Sequence, residues 1–342
     1  MTTEKKRVKY GLLLPHFGVY ADKERLLEGS KLAESYGFDS VWVRDHLIFE
    51  PHGEMEDPNR NFFDAMITLT AIGAVTKEIQ LGTGSLIPFR HPLEIALQAA
   101  TMTHLVGANR FICGYGAGTF DHEFEAVGID PTIKRWDLVK GTAEILKKVW
   151  TEDDVAYDDG FYKFENVTIE PKPAGGPPPF WYCGNTPASV RRAVEYCEGW
   201  MPGRISLATF RARVDALREQ SEAAGRPMPT PAVIPPTSVE ETREKALEYV
   251  NVDGLLAWAN KAKYWVKPPS GTFETWEDLE GTLIAGNPDE VVEACRKFED
   301  AGCEHLVFDF RFKFDRFFEQ IDLLGQEVLP KLRQEARVEV EV

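Results

Sequence analysis

Arg44, an aspartate and a histidine follow Ser40 to Val43, a short apolar segment with the composition of a buried strand. An imidazole at the end of a strand can exchange a proton near neutral pH, so His46 is a candidate catalytic residue. The alternative role for His46 is a structural hydrogen bond to the loop backbone. Asp45 stands beside it, where its carboxylate can turn toward a helix or a buried partner. His16, after the earlier apolar run from Val8 to Leu14, is a weaker catalytic candidate, with pocket lining as the alternative.

Two other strand patterns end in small residues. The first runs from Ile79 to Leu81 and the second from Phe111 to Cys113. A glycine at a strand end either permits unusual backbone angles or lets a ligand approach the main chain. We therefore predict that the two strand ends form the floor for a flat ligand. The candidate cofactor-binding residues there are Thr83, Gly84, Ser85, Gly116, Gly118 and Thr119.

A third group of polar residues follows the strand pattern from Phe180 to Cys183. Gly184, Asn185 and Thr186 stand at the start of a predicted helix, where backbone N–H groups and a hydroxyl are available to a phosphate. The alternative is that Asn185 or Thr186 only caps the helix.

Neither a dinucleotide fingerprint nor a metal site fits these residues. The third glycine of a G-x-G-x-x-G fingerprint would fall at Thr119, and the acidic residues follow too soon. A metal site needs about three ligands at strand ends, and the later strands bring no histidine or aspartate to join Asp45, His46 and His16. We predict no metal.

Composition excludes several classes of protein. The 342 residues carry a net charge of −16, which argues against a nucleic-acid or anionic-membrane partner. No run of 18 apolar residues suggests a membrane span, and the start of the chain lacks the apolar core of a signal peptide, so we expect a cytoplasmic protein. The five cysteines have no close spacing and are expected to be reduced thiols.

The pattern of elements predicts the fold. Eight strand patterns alternate with helical ones, which favours a single α/β domain folded as a (β/α)8 TIM barrel over residues 1–342. In such barrels the strand ends meet at one mouth, so the candidate residues above would converge. The alternation is interrupted by three predicted insertion loops, at about 47–63, 151–178 and 251–281.

Five stretches, in three regions of the chain, resemble the bacterial-luciferase-like flavin and deazaflavin oxidoreductases. These are LGTGSLIPFRHPLEIALQAATMTHL with NRFICGYGAGTFDHEFEAVG, then WYCGNTPASVRRAVEYCEGWMPG, then IAGNPDEVVEACRKFEDAGCEHLVFDF with VLPKL. The resemblance implies a cis peptide bond between Gly84 and Ser85, in a bulge against which a tricyclic cofactor ring leans. It also places the cofactor phosphate near Gly184 to Thr186 and favours the catalytic role of His46.

The same resemblance implies an oxidoreductase. Arg44 to His46 and the two glycine-containing segments are more similar to the branch that uses the deazaflavin coenzyme F420, which implies hydride transfer with a small substrate. One alternative is an FMN-dependent monooxygenase served by a separate NAD(P)H-dependent reductase, and another is a non-catalytic flavin-binding barrel. Thr119 stands where the deazaflavin sugar-phosphate dehydrogenases have an acid, so their reaction is not carried over. The oligoglutamate tail of F420 would need a local basic groove on this acidic chain.

The substrate and the assembly are less defined. Five large aromatic residues in the third insertion loop either pack that loop onto the barrel or line a pocket, which suggests an apolar or ring-bearing substrate. The resemblance implies a homodimer formed through the helices after the second and third strands. The five aromatic residues are Trp258, Tyr264, Trp265, Phe273 and Trp276.

Overall fold

The computed structural model describes residues 7–52, 56 and 58–338, and shows a closed barrel of eight parallel strands. Counted along the chain, the strands are β1 (Lys9–Leu13), β2 (Ser40–Val43), β3 (Gln80–Thr83), β4 (Phe111–Gly116), β5 (Val155–Asp158), β6 (Lys163–Val167), β7 (Phe180–Cys183), β8 (Gly199–Met201), β9 (Thr230–Val233), β10 (Thr237–Val239), β11 (Ile284–Gly286) and β12 (His305–Asp309). The barrel order is β1, β2, β3, β4, β7, β8, β9 and β12, which closes on β1. The predicted TIM barrel is confirmed.

Helices connect the barrel strands. They are α1 (Lys23–Tyr36), α2 (Ala65–Val75), α3 (Pro92–Val106), α4 (Asp121–Ala126), α5 (Arg135–Val149), α6 (Pro187–Tyr196), α7 (Leu207–Ala224), α8 (Arg243–Leu247), α9 (Val252–Lys261), α10 (Pro288–Asp300), α11 (Phe317–Leu323) and α12 (Leu329–Val338). None of the helices in the described part of the chain has the length and apolar character needed to cross a membrane.

Local sequence signals set many of these boundaries. The Asp22 carboxylate accepts a hydrogen bond from the Arg25 amide at 2.8 Å and starts α1, and Gly37 ends that helix with φ of 80°. Asn287 followed by Glu290 three residues later predicts a capping box, and α10 has one, because each of the two side chains accepts a hydrogen bond from the other residue's backbone amide.

Some elements differ from the predictions. The sequence predicts a helix from Glu240 to Val250, but α8 covers only Arg243–Leu247, and Thr242 caps its start. The segment 151–178, predicted as an irregular excursion, contains the antiparallel hairpin β5–β6, whose largely exposed residues give no clear apolar alternation. The segment 251–281 contains α9, and β10 pairs with β11 in a small sheet outside the barrel.

The interior of the barrel is filled by large side chains. Trp42 is fully buried, and its ring lies 5.4 Å from that of Trp181. The Trp42 indole donates a hydrogen bond to the Ser40 hydroxyl, which is 2.7 Å from His305 Nε2. The packed interior leaves the carboxyl ends of the strands as the place for a ligand.

Candidate functional site

A cavity of about 820 Å3 opens at the carboxyl-terminal mouth of the barrel. This volume is in the range of small-molecule and cofactor sites. Residues that follow β2, β3, β4, β7, β8 and β9 line it, so six of the eight barrel strands contribute. The predicted site residues that line the cavity are Asp45, His46, Gly84, Ser85, Gly116, Gly118, Thr119, Gly184, Asn185 and Thr186.

The His46 imidazole is oriented by a buried carboxylate. Its Nδ1 lies 3.1 Å from Oε2 of Glu123, and the ring packs between Phe49 and Phe62, with centroid distances of 5.3 and 5.2 Å. Nε2 has no hydrogen-bond partner within the described residues. With Nδ1 occupied, Nε2 is the nitrogen that can exchange a proton with a ligand in the cavity.

Glu123 is a further candidate site residue, which the sequence reasoning missed. It is fully buried in the first turn of α4, and its Oε1 also accepts hydrogen bonds from the backbone amides of Leu47 and Ile48 at 2.8 and 3.2 Å. Burial alone would raise the pKa of Glu123, but the hydrogen bonds from His46 and these amides outweigh it and lower the pKa. The position of Glu123 in the sequence could have indicated this role, because a helix that begins shortly after a barrel strand has its first turn near the mouth of the barrel.

Asp45 lines the cavity but is fully engaged in an ion pair. Arg90 donates two hydrogen bonds to its carboxylate, at 2.8 and 2.7 Å, and a third to Asp64 at 2.7 Å. Although burial opposes it, the two carboxylates raise the pKa of Arg90, so the group is ionised. Asp45 therefore fixes the exit of β2 against the segment that follows β3, which is a positioning role.

His16 does not line the cavity, so the structure does not support a direct catalytic role for it. Its Nδ1 donates to the Leu14 carbonyl at 2.8 Å, and its Nε2 accepts from the Arg44 amide at 2.9 Å. Burial lowers the pKa of His16 to about 3, so the ring stays neutral. The sequence placed His16 at a strand end correctly, but no pattern shows that both ring nitrogens are used by the backbone.

The bulge after β3 has the predicted geometry. The peptide bond between Gly84 and Ser85 is cis, which confirms that prediction. Gly116 on the neighbouring strand leaves room for Ser85, because a Cβ at Gly116 would lie 2.4 Å from the Ser85 hydroxyl oxygen. Thr83, in contrast, does not reach the cavity. Its hydroxyl bonds to the backbone of Gly114, accepting at 2.9 Å and donating at 3.0 Å, so its role is to join β3 to β4.

The segment before α6, which follows the neighbouring strand β7, also lines the cavity. Thr186 caps α6 by accepting a hydrogen bond from the Ser189 amide at 3.2 Å, so the capping role considered from the sequence is present. Arg191 and Arg192 of α6 also line the cavity, and Arg192 lies over the rings of Trp136 and Tyr182 at 5.1 and 5.9 Å. Neither arginine has a carboxylate partner among the described residues.

This wall has the chemistry of an anion site. A helix N-terminus next to two guanidinium groups provides the donors that a phosphate prefers. Gly203 on the same cavity has no atom within 4 Å of the position that a Cβ would take, so the wall is open at that point. The residues present therefore fit a flat ring with a phosphorylated side chain.

A buried charge cluster lies beside the cavity, which one of its members, Arg44, also lines. Glu56 accepts hydrogen bonds from Arg44 at 2.8 Å and from Arg311 at 2.5 Å, and Arg311 also pairs with Asp309 at 2.5 Å. These four charges balance. Although burial opposes it, hydrogen bonds and the two arginines lower the pKa of Glu56, whereas burial lowers the pKa of Arg44 to about 10.

Several residues at the cavity were not predicted. His52 stacks on Phe120 with ring centroids 4.9 Å apart, and burial lowers its pKa. Cys183 lies at the end of β7, and burial raises its pKa to about 12, so it is a neutral thiol near pH 7. All five cysteines are unpaired. Among the described residues, no three potential ligand side chains are grouped to hold a metal ion.

The aromatic residues of the third insertion loop divide between the two predicted roles. Trp265 is buried between Trp258 and Phe273, with centroid distances of 5.0 and 5.9 Å, and these rings pack the loop onto the barrel. Only Tyr264 of the five lines the main cavity. Tyr182 and Trp136 supply the other large aromatic surfaces there.

The chain is similar to known proteins over nearly its whole length. The profile of the family described as luciferase-like monooxygenase matches residues 9–305. The F420-dependent glucose-6-phosphate dehydrogenase of Nakamurella multipartita is 28% identical over 335 residues, which is 93% of this chain and 96% of that protein. The protein of the same description from Mycolicibacterium gilvum is 29% identical over 331 residues, 92% of this chain and 95% of that protein.

Solved structures show the same fold at lower identity. An F420-dependent secondary alcohol dehydrogenase in complex with an F420-acetone adduct has a TM-score of 0.78 and 19% identity, over 96% of this chain and all of the other. The FMN complex of the oxygenating constituent of 3,6-diketocamphane monooxygenase from Pseudomonas putida has a TM-score of 0.73 and 19% identity, over 95% and 98% of the two chains. Since the family profile covers residues 9–305, this chain belongs to the luciferase-like monooxygenase family.

Proposed function

We propose that this protein is an oxidoreductase that uses the deazaflavin coenzyme F420 to transfer a hydride to or from a small substrate, which is apolar or bears a ring. The observation that carries the proposal is one cavity bounded by His46, the cis Gly84–Ser85 bulge and the anion site at the start of α6. The curated relatives described above support F420, because both are named as F420-dependent and match more than nine-tenths of the chain.

Different residues of the chain would have different roles in such a reaction. F420, when bound, supplies the hydride donor or acceptor. His46 Nε2 exchanges the proton that accompanies the hydride, and Glu123 holds the imidazole through Nδ1 and stabilises its charged form. Gly84, Ser85, Gly116, Gly118 and Thr119 bound the ring side of the cavity, and Gly184 to Thr186 bound the phosphate side. Asp45 keeps the loop after β2 in place through Arg90.

The substrate proposal follows from the balance of charges. Arg44, which lines the cavity two residues before His46, is paired with Glu56, and Arg311 is paired with Glu56 and Asp309, so these two guanidinium groups are already engaged and do not favour an anionic substrate. Apolar side chains of Ile87, Met201 and Ile234 supply the remaining wall. Together with Thr119 in place of an acid, these features favour a neutral substrate over a sugar phosphate.

An FMN-dependent monooxygenase is the second candidate. The description of the family supports it, and the cavity has the size and donors for FMN as well. In that case a separate NAD(P)H-dependent reductase would supply reduced FMN, and O2 would be a substrate. Consumption of O2 with reduced FMN separates the two candidates, because a deazaflavin reacts poorly with oxygen.

We also propose a homodimer formed through α2 and α3. These neighbouring helices expose apolar side chains to solvent, including Ile67 with 73% and Leu105 with 68% of its surface accessible. Val75 and Leu97 add to the same two helices. Exposed apolar residues concentrated on adjacent helices are typical of a surface that a second subunit covers.

The decisive experiment is a titration of the purified protein with F420 and with FMN. We expect quenching of F420 fluorescence with micromolar or tighter affinity. Saturable binding of FMN together with no response to F420 would replace the first candidate by the second.

A matched pair of variants then tests catalysis. His46→Ala should lower turnover by about 10^2 to 10^4-fold while cofactor binding is retained, the range expected for loss of an acid–base group. His91→Asn, which keeps the capping acceptor of α3, should behave as the wild type. Equal turnover by His46→Ala and the wild type on every accepted substrate would leave His46 without the proposed role, whereas cofactor binding without turnover of any substrate by the wild type would favour a non-catalytic cofactor-binding barrel.

A further inference from the structure

A second, smaller cavity of about 270 Å3 lies beside the main one. It is formed by the end of α9 and the turn that follows, together with Asn185. Asn185 and Tyr264 line both cavities, so the two are contiguous. The residues around it are Asn185, Trp258, Lys261, Ala262, Lys263, Tyr264 and Trp265.

The charge of this second cavity is opposite to that of the chain. The whole protein has a net charge of −16, yet none of the described residues that line the cavity is an aspartate or glutamate, and Lys261 and Lys263 are among them. Within the described residues neither lysine forms an ion pair. Arg191 and Arg192 continue the positive surface along the rim of the main cavity. Asp45 is the one carboxylate among the described residues that line this cavity, and it is paired with Arg90. A concave basic surface on an acidic protein concentrates anions at that place.

We propose that this second cavity binds the oligoglutamate tail of F420. The inference rests on the proposed function, and it concerns the part of the coenzyme that FMN lacks. The tail is attached through the phosphate, so it leaves the main cavity at the segment from Gly184 to Thr186. Asn185 lies at that exit, and the lysines of α9 and its following turn lie beyond it, where the carboxylates of the first glutamates would pass.

Binding of the tail at this cavity would also give a role to the third insertion loop, which carries the two lysines. Trp258 and Trp265 pack together at 5.0 Å and hold the lysine-bearing turn against the barrel. Arg213 of α7 donates a hydrogen bond to the Tyr264 carbonyl at 2.6 Å and fixes the same turn. The lysines are thus presented by a packed turn, which reduces the conformational entropy that binding would cost.

The experiment compares two forms of the coenzyme that differ only in the tail. Fluorescence titrations at low salt would use F420 with several glutamates and the form that ends at the lactyl group, with the wild type, the double variant Lys261→Glu/Lys263→Glu, and the control Lys23→Glu at an exposed site on α1. We expect the wild type to prefer the glutamated form, and the double variant to weaken binding of that form by about tenfold, consistent with a few solvent-exposed ion pairs. Binding of the tail-less form should change less than about twofold, and Lys23→Glu should match the wild type.

The outcomes separate this inference from the proposed function. Equal affinity of the wild type for both forms, or an equal loss for both in the double variant, overturns the tail site while F420 binding stands. Failure of both forms to bind overturns the proposed function and the tail site together. A preference for the tail that disappears at high ionic strength supports the electrostatic origin.

Discussion

The pairing of Glu123 with His46 leads to a quantitative prediction for Glu123→Gln. Glutamine keeps the size of the side chain and an acceptor oxygen for the loop amides, but removes the charge 3.1 Å from Nδ1 of His46. A hydrogen bond to a charged group contributes about 1.5–3 kcal/mol net, against about 0.5–1.5 for a neutral pair. The imidazolium should therefore lose about 1.4 kcal/mol, which is about tenfold in kcat/KM if it forms in the transition state.

The pH dependence distinguishes this electrostatic role from a merely structural one. Loss of the carboxylate makes the imidazolium less stable, whether His46 accepts or donates the proton in the reaction. The limb of the kcat/KM profile that this histidine governs should therefore move to lower pH, by about one unit for 1.4 kcal/mol. The assay is steady-state turnover from pH 5 to 9 with thermal unfolding of each variant as a check of folding.

Glu125→Gln is the matched control, because Glu125 lies on the same helix and its side chain is exposed. We expect its profile to coincide with that of the wild type. A Glu123→Gln enzyme that is folded and as active as the wild type would refute the reasoning. So would a uniform loss at all pH values, since that would show a packing defect and no effect on the proton.

Three other perturbations have defined outcomes. Glu56→Gln should destabilise the fold by about 3 kcal/mol, because it leaves the buried guanidinium of Arg44 without a carboxylate and leaves Arg311 with Asp309 alone. The pKa of Glu56 is lowered on folding, so its contribution is present above the unfolded pKa of about 4.3 and is lost progressively as the pH falls below that value. Melting curves against pH should therefore show the variant approaching the wild type in acid. Gly116→Ala places a methyl group 2.4 Å from the Ser85 hydroxyl, so cofactor affinity should fall at least about tenfold in the same fluorescence titration, and unchanged affinity would show that the bulge tolerates displacement. Ile67→Glu puts a charge on the exposed apolar face of α2 and should yield monomers in analytical ultracentrifugation, whereas a wild type that is itself monomeric contradicts the dimer.

The barrel could be predicted because its signals are local. The strand from Ser40 to Val43 and the strand from Phe180 to Cys183 have the predicted bounds, since each is a short apolar run followed at once by polar residues. The hairpin β5–β6 gave no such signal, because most of its side chains face solvent. The helix within 251–281 was missed because the aromatic residues, glycines and prolines around it obscured the helical spacing of its apolar residues.

The candidate site was predictable only as far as strand ends determine it. Because His46, Ser85 and Asn185 follow strands, we predicted that they lie together, and the structure shows all three lining one cavity. Position at a strand end also selected His16, and the structure shows that both of its ring nitrogens bond to the backbone. Glu123 was missed for the reverse reason, since a carboxylate in the first turn of a helix already has an electrostatic explanation, and its contact with a residue 77 positions away is not visible in the sequence.

The seam between β1 and β12 has a consequence for how the protein is made. Glu56, supplied early in the chain, binds Arg311, which follows the last strand, so the charge cluster joins parts separated by 255 positions. A nascent chain that has not yet reached residue 305 lacks both the closing strand and this contact. Fragments truncated before that point should therefore fail to assemble the active mouth, even though they contain His46, Glu123 and both cofactor-binding segments.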